Sequence, residues 1–282
     1  NQYIYRFDVS SQYLYKPYKY SEVELSASAF YYFRNFWDVT FSVSSYPFAQ
    51  HDYFELRTPG LFVKRPAEVT FGMNGSTDSR KRFYVGYGLG VATRPNRVDN
   101  GYNSLQLFFR YRFSDQFTMN VSWGREYESN QIGYAFAREN NGDPILGYRD
   151  FTETATLLSG IYNFTPRLNV SLRARHYWNK VIYNSFYNVD AKGDHIPRSF
   201  LSGRDENYNG FNVDAFLTWD FRPGSRVILG YKNWLGDNYS VNGTLFNNYT
   251  DNLERTFRTS HGNELTLKVI YFLDYNQLRK KH

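Results

Sequence analysis

The sequence predicts an all-β fold, an antiparallel transmembrane β-barrel of about twelve strands with short periplasmic turns and long extracellular loops. Three observations carry this. Apolar and polar residues alternate with a period of two along most of the 282 residues, the pattern of strands lying between an apolar and a polar medium. The alternating runs are about ten to thirteen residues long, near the roughly 9–11 that cross a bilayer at a tilt and above the usual five or six or so of globular sheets. Finally, short links (34–36, 77–82, 114–116, 165–167, 222–225) alternate with mostly long ones (47–65, 93–102, 128–152, 181–209, 236–262), as in outer-membrane barrels. A soluble β-sandwich alternates too. Strand length and link asymmetry favour the barrel, as do the aromatics Phe33, Trp37, Phe113, Phe117 and Phe221 beside the short turns, placed like an interfacial girdle.

Taken in order, Tyr3, Tyr5, Phe7 and Val9 alternate with Arg6, Asp8 and Ser10 in a first strand to about Tyr15, turned by Lys16-Pro17-Tyr18-Lys19. Val23, Leu25, Ala27 and Ala29 oppose Glu22, Glu24, Ser26 and Ser28; Val39, Phe41 and Val43 oppose Asp38, Thr40 and Ser42. After the link at 47–65, Val69, Phe71 and Met73 face away from Glu68 and Thr70. Phe83 to Val91 follows, with Gly86, Gly88 and Gly90 on its polar side.

The clearest unit is Leu105 to Trp123, LQLFFRYRFSDQFTMNVSW. Leu107, Phe109, Met119 and Val121 lie on one face and Arg110, Arg112 and Asn120 on the other, about the three-residue link Ser114-Asp115-Gln116, which suits a tight hairpin. Residues 128–152 look like a long polar excursion, with a small hairpin around Asn140 to Pro144 as one possibility. The strand at 153–164 has an ambiguous face, because Leu157 and Leu158 are adjacent. Leu168 to Ala174 carries Leu172 opposite Arg173 and Arg175; Phe211 to Phe221 carries Asp214 and Asp220; Val227, Leu229 and Tyr231 oppose Arg226 and Lys232. The last strand sets Leu265, Leu267, Val269 and Tyr271 against Lys268 and Asp274, and a basic tail, Arg279 to His282, ends the chain. One barrel domain over 1–282 is expected, with no internal boundary.

Composition agrees. The 33 basic and 27 acidic residues are scattered and leave a net charge of +6, which gives a nucleic-acid partner little support. With no cysteine, disulfides and thiolate metal sites are excluded. Aromatics make up 20% of the chain although its mean hydropathy is −0.62, a combination that alternating strands explain. No run approaches the roughly 18 apolar residues of a spanning helix. The first residues already lie in a strand pattern and no signal peptide is seen, so a mature product or the later part of a longer chain is expected. The triplet Asn169-Val170-Ser171 falls inside a strand and does not speak for a glycoprotein.

Several stretches resemble a Bacteroidota family known as a domain of unknown function, the C-terminal part of outer-membrane proteins that often begin with a family-nine carbohydrate-binding module. They are Phe62-Val63-Lys64-Arg65-Pro66-Ala67, Gly147-Tyr148-Arg149-Asp150 leading to Leu158-Ser159-Gly160, Leu172 to Trp178, Tyr183 to Tyr187, Trp219 to Ser225, and Leu265 to Tyr275. The resemblance implies an outer-membrane barrel of uncertain role, with the N-terminal module and earlier strands missing here. It brings no functional residues.

No catalytic constellation stands out. The histidines at 51, 176, 195, 261 and 282 lack ligand spacing. Asn188, Asp190, Asp194 and Asp205 share a loop without an EF-hand pattern, and a solvated loop is the better reading. Gly86 to Gly90 lies in a strand with no helix behind it, which argues against a phosphate loop. As a set, the polar face is more informative. Asp8, Glu22, Glu24, Asp38 and Glu68 come early; Arg110, Arg112, Arg173, Arg175, Arg226, Lys232 and Lys268 come later, with Asp214 between them. In a closed barrel the acidic wall stands across from much of the basic wall, either as ion pairs or as a transverse field over a pore. The loop aromatics Tyr46, Tyr53, Phe54, Tyr183, Phe186, Tyr187, Tyr239 and Tyr249 are read mainly as loop packing, with stacking on sugars or a partner as the functional alternative.

The expected function is non-enzymatic and cofactor-free: an outer-membrane, porin-like channel for polar solutes. The alternative is a non-conducting component of a surface assembly for glycan uptake or protein export. Leu107, Phe109, Met119, Val121, Leu172 and Leu229 are expected to touch outer-membrane lipid and the charged set to line the lumen; other outer-membrane proteins or surface lipoproteins are the candidate partners. For closure, pairing of the first strand with the last is favoured over pairing with strands upstream.

Overall fold

The computed structural model of the chain describes residues 2–95, 101–238 and 248–273. The strands are β1 (Gln2–Leu14), β2 (Lys19–Tyr32), β3 (Asp38–Tyr46), β4 (Gln50–Asp52), β5 (Val63–Arg65), β6 (Glu68–Ser76), β7 (Phe83–Thr93), β8 (Gly101–Arg112), β9 (Phe117–Arg138), β10 (Pro144–Thr165), β11 (Leu168–Val189), β12 (His195–Pro197), β13 (Glu206–Arg222), β14 (Ser225–Asn238) and β15 (His261–Ile270), with one helix, α1 (Tyr249–Arg258). Thirteen strands form one antiparallel sheet in the order β1-β2-β3-β6-β7-β8-β9-β10-β11-β13-β14-β15, with β12 beside β11; β4 and β5 form a separate hairpin. Each strand on the main path lies beside its neighbour in the chain, apart from the β4–β5 insertion and β12.

Register follows from the alternation, because a slip of one residue would put every apolar side chain on the wrong face. One row reads Val85, Phe109, Val121, Leu158, Ala174, Val213 across six strands. Another reads Met119, Gly160, Leu172, Ala215, Tyr231, Leu265. These rows also resolve the ambiguous strand. Leu158 belongs to the apolar face, and Leu157, between Ser122 and Arg175, to the polar one.

The structure departs from expectation in four places. First, residues 128–152 are not a polar excursion, nor is 181–209 a single link: β11 runs on to Val189, β12 pairs with it and β13 begins at Glu206. Strands β9, β10 and β11 are 22 residues each, and only the tight turn around Gly142, with its positive φ of 90°, separates β9 from β10. The polar side chains there bond to one another: Gln131 donates to Glu128 at 2.8 Å, and Arg149 to Gln131 at 2.9 Å. A bulge at Asn130 (φ 46°) leaves its N–H to the Asp150 carboxylate at 3.0 Å. This extension holds two small cores, one of Ala135, Ala137, Ile145, Val181, Tyr183 and Phe186, the other of Leu56, Val63, Ile132, Leu146 and Tyr148.

Second, the link 47–65 contains the β4–β5 hairpin, and its Leu56 and Val63 are fully covered by the β9–β10 extension. Third, the link 236–262 contains α1. Asn248 caps it, its side chain accepting from the amides of Thr250 and Asp251, with Asp251 in the first turn and Arg255 and Arg258 in the last.

Fourth, the sheet is open. Among the described residues β1 pairs with β2 and β15 with β14, and the expected pairing of first strand with last is not made. Phe7 is 82% exposed and Leu265 73% exposed, as befits two unflanked edges. The readings at Tyr239, Asp274, Tyr275 and the basic tail lie outside the described residues.

Candidate functional site

Two faces of one sheet differ in chemistry. All six residues expected to meet lipid are on the apolar face: Leu107 between Tyr87 and Trp123, Phe109 beside Val121, Met119 beside Tyr111, Leu172 beside Ala215, and Leu229 between Leu217 and Leu267. The charged set occupies the other face. Asp8 stands opposite Ser26, Glu22 opposite Gln12, Glu24 opposite Ser10, Asp38 opposite Ser76, and Glu68 opposite Tyr46. Arg112 stands opposite Thr118, Arg226 opposite Ile270, and Lys268 opposite Ile228.

One row crosses the polar face from β7 to β15: Tyr84, Arg110, Asn120, Ser159, Arg173, Asp214, Lys232, Glu264. Its last four members alternate in sign between directly opposed neighbours, a favourable cross-strand arrangement. The acidic members of the set lie on β1, β2, β3 and β6 and the basic ones on β8, β11, β14 and β15, with Asp214 and Glu264 interleaved among the latter. An acidic wall facing a basic one would need closure, and the sheet is open. Arg226 holds Asp220 at 2.6 Å near the 222–225 turn, and the Arg110 guanidinium lies 4.8 Å over the Tyr84 ring.

Nearer the long loops, the polar face is concave. A cavity of about 540 Å³ over β8 to β11 is lined by Gln106, Phe108, Glu126, Glu153, Arg175 and Tyr177. It adjoins one of about 350 Å³ toward Asp38 and Tyr84, and one of about 420 Å³ toward Tyr208 and Trp234. Glu126 and Glu153 stand directly opposite each other, and the Tyr177 hydroxyl donates to Glu153 at 2.7 Å. Along the floor runs a row of small residues broken by Gln106 and Tyr177: Gly88, Gln106, Gly124, Ala155, Tyr177, Gly210, Gly236.

At the loop end, Arg94 bridges Glu68 at 2.7 Å and Glu128 at 2.5 Å, all three side chains mostly covered. The 47–65 segment is tied down beside them. Arg65 holds Asp52 at 3.0 Å and Glu55 at 2.9 Å, and Lys64 holds Asp194 at 2.6 Å. Burial would raise the Asp52 carboxyl, but the amides of Phe54 and Glu55 together with Arg65 outweigh it and hold the group below its ordinary value. At the opposite end, in the 77–82 turn, hydrogen bonds from Arg80 bring Asp78 down to about 2.

The loop aromatics mostly pack on each other. Tyr53 lies 5.1 Å from Phe62, Tyr183 stacks on Phe186 at 5.0 Å, and Tyr148 meets Tyr187 at 4.4 Å, while Phe54 is exposed. Tyr249 belongs to α1, which docks on the apolar face above the aliphatic rows: its hydroxyl meets His176 at 3.0 Å, and Asn252 accepts from Asn207 and Asn209 at 2.9 and 3.0 Å. The acidic loop set is dispersed. Asp190 caps its own turn through the amides of Lys192 and Asp194, Asp194 pairs with Lys64, and Asp205 accepts from the Tyr183 amide.

Glu126, Glu153, Tyr177, Tyr208, Trp234 and Arg94 were not singled out from the sequence. Parity assigns Glu126 to the polar face with Ser122 and Gly124, but reading a loop from residue 128 onward hid its partner strand.

The fold and its faces define a class: a long-stranded antiparallel wall, apolar on one side and polar and concave on the other. The chain belongs to the family described as Domain of unknown function (DUF5916), whose model matches residues 1–282. No curated protein matches it in sequence. Among solved structures it is similar to one titled "Copper transporter OprC", with 13% identity over 95% of this chain and 41% of that one and a TM-score of 0.49. It is also similar to a NanC porin, with 7% identity over 82% of this chain and 86% of that one and a TM-score of 0.24. The chain thus spans less than half the length of the copper transporter. At these scores the likenesses bear on neither function nor closure.

Proposed function

We propose that this chain is a wall of an outer-membrane β-barrel, with its apolar face on lipid and its polar face on the lumen, and that the barrel is a channel for polar solutes. The observation that carries the reading is the segregation of the two faces over the whole main path of the sheet. Large apolar side chains such as Phe71 (51% exposed), Leu172 (46%) and Trp219 (51%) stand uncovered on the face that excludes charge over the aliphatic rows. A contiguous apolar surface of that extent needs an apolar medium.

The polar face fits a lumen because a row of alternating charge, Arg173–Asp214–Lys232–Glu264, crosses it while the surface is concave, leaving space for water beside the wall. On this reading the turns at 33–37 and 113–116 are periplasmic, and the β9–β10–β11 extension projects outward. A lipophilic quencher attached to lipid tails tests the faces: labels at Val121 are quenched and labels at Asn120 are not. Equal quenching at both sites removes the barrel reading. Planar bilayers containing the purified protein test the channel, which requires discrete conductance steps.

One observation favours the second reading, a non-conducting part of a surface assembly. Among the described residues two edges, β1 and β15, are unpaired and offer backbone to further strands, so the wall also suits a larger structure. Silence in bilayers combined with strand-edge crosslinks to co-purifying outer-membrane proteins or lipoproteins would favour it.

A further inference from the structure

We infer that the concave strip of the polar face is a binding path for a neutral oligosaccharide chain; this rests on the polar face being a lumen wall.

The three adjoining cavities form one trough, since the central one shares Gln106 and Phe108 with its neighbour on one side and Arg175 and Tyr177 with the other. The trough follows rows perpendicular to the strands. Because barrel strands tilt, typically by about 35–45°, such a row climbs the wall as a spiral, and a chain lying in it advances through the pore.

Two of the four floor glycines, Gly88 and Gly124, are ones that the fold itself does not require, whereas a Cβ on Gly210 or Gly236 would crowd Tyr208 at 3.2 and 3.3 Å. A Cβ on Gly88 would come no closer than 3.6 Å to Gln106, and one on Gly124 no closer than 3.7 Å. Both are ordinary contacts, and neither glycine has positive φ. Gly147 and Gly262 differ, since a Cβ there would enter the rings of Tyr183 and Trp234. Glycine inside a strand costs stability, roughly 0.5–1 kcal/mol against alanine, so glycines with room for a side chain point to space that is used.

The lining then names the ligand. Tyr177, Tyr208 and Trp234 put aromatic rings along one arm of the trough, and Trp234 is 50% exposed there; exposed rings on a polar wall suit the C–H faces of pyranose rings. Glu126 and Glu153 oppose each other across β9 and β10, and like charges directly opposed are unfavourable unless donors come between them. Vicinal hydroxyls are such donors, while Arg175 and Gln106 offer donors in return. Three carboxylates (Asp38, Glu126, Glu153) and two guanidiniums (Arg125, Arg175) line the trough, too little net charge to select a strongly charged solute, which favours a neutral chain over a charged peptide.

The test is tryptophan fluorescence of the full chain in detergent. Trp178 and Trp219 stand on the apolar face by register and Trp37 precedes β3. Trp123 borders the central cavity and Trp234 the arm beyond it, so loss of the signal in W234F assigns the response to Trp234. Cellohexaose and maltohexaose are the probes, with hexalysine as the charged control. A saturable change with either hexasaccharide is expected, lost in W234F, weakened about tenfold in Glu126→Gln/Glu153→Gln, and abolished in Gly124→Leu, which fills the floor while leaving the heat-modifiable folded band unchanged.

A folded protein with no response to either hexasaccharide overturns the inference, as does a response that survives Gly124→Leu. A response to hexalysine alone overturns the neutral ligand. Conductance without sugar binding sinks this inference and spares the channel; binding without conductance does the reverse.

Discussion

Arg94 meets Glu128 at 2.5 Å across the width of β8 through Nη2, joining the end of β7 to β9 on the polar face, while its Nε holds Glu68 at 2.7 Å. One guanidinium thus bridges two carboxylates, leaving the triad with one net negative charge, and all three side chains are at most about one-fifth exposed. Removing the cation leaves two covered carboxylates without a countercharge, Glu128 keeping the Gln131 amide and Glu68 the Thr70 hydroxyl, so the loss is expected below the about 3–5 kcal/mol of a fully buried pair. Arg94→Ala is therefore expected to lower the urea midpoint of the folded protein clearly, and Arg94→Lys to lower it less, because lysine keeps the charge but not the fork. The triple variant Arg94→Met/Glu68→Gln/Glu128→Gln should recover much of the loss. A midpoint unchanged in Arg94→Ala would show that the three side chains are hydrated and that the bridge contributes nothing.

The two faces differ in what they tolerate. A Val121→Arg substitution puts a charge in the row Phe109–Val121–Leu158, which on the barrel reading is in hydrocarbon. It is expected to cost about 2–4 kcal/mol near the bilayer midplane. Asn120→Arg, one residue away between Arg110 and Ser159, should cost far less, since water hydrates it. Unfolding titrations in lipid vesicles measure both. Equal costs would contradict the assignment of faces.

These faces were legible because alternation is a local property: Leu107, Phe109 and Val121 declare their side from their immediate neighbours. The strand order was legible for a similar reason, since short links such as Ser114-Asp115-Gln116 force adjacent strands to pair. What stayed hidden depends on contacts distant in sequence. The polar residues of 128–152 look like a loop until Gln131 is seen to bond Arg149 and Glu128, and the bulge at Asn130 breaks the parity that would have marked the strand. The helix was within reach, because Asn248 followed by Thr250 and Asp251 is a capping signature. The trough was not, because it needs Glu126 and Glu153, 27 positions apart in the sequence, to be seen in register.

The loop 47–65 is expected to loosen in two steps as pH falls. His51, packed against Tyr20 and Phe62, is held below its ordinary value of 6.5 by burial and then by Lys64. A depressed histidine favours the packed loop fully above 6.5, and that advantage is lost as pH drops below it, when the released ring takes up a proton more readily. Asp52 and Asp194 are held below 3.8, so their contribution is full above 3.8 and is lost as pH falls through their lowered values. A spin label at Phe54→Cys, a position 78% exposed, reports the mobility. His51→Phe should remove the upper step and keep the lower one. A single transition unaffected by His51→Phe would refute the assignment.

The edges make the last prediction. Strand β1 has backbone partners only on its β2 side and β15 only on its β14 side among the described residues, along 13 and 10 residues respectively. In water an exposed edge is tolerable, and proteins protect it with prolines, bulges or outward lysines. Neither strand has an interior proline, and the apolar faces of both are uncovered, with Val9 77% and Leu267 68% exposed. In hydrocarbon the cost is far larger, because each unpaired amide or carbonyl there costs several kcal/mol. The two strands can thus stand in a bilayer only when they are paired, with each other or with further strands. Because the sheet leaves them apart, cysteines at Phe7 and Val269 are expected not to join within one chain, across registers shifted by two and four residues in either direction. Either edge should instead crosslink to a segment outside β1 to β15, identified by mass spectrometry of the linked peptides. Efficient joining of the two cysteines in a monomer would show that the wall closes on itself.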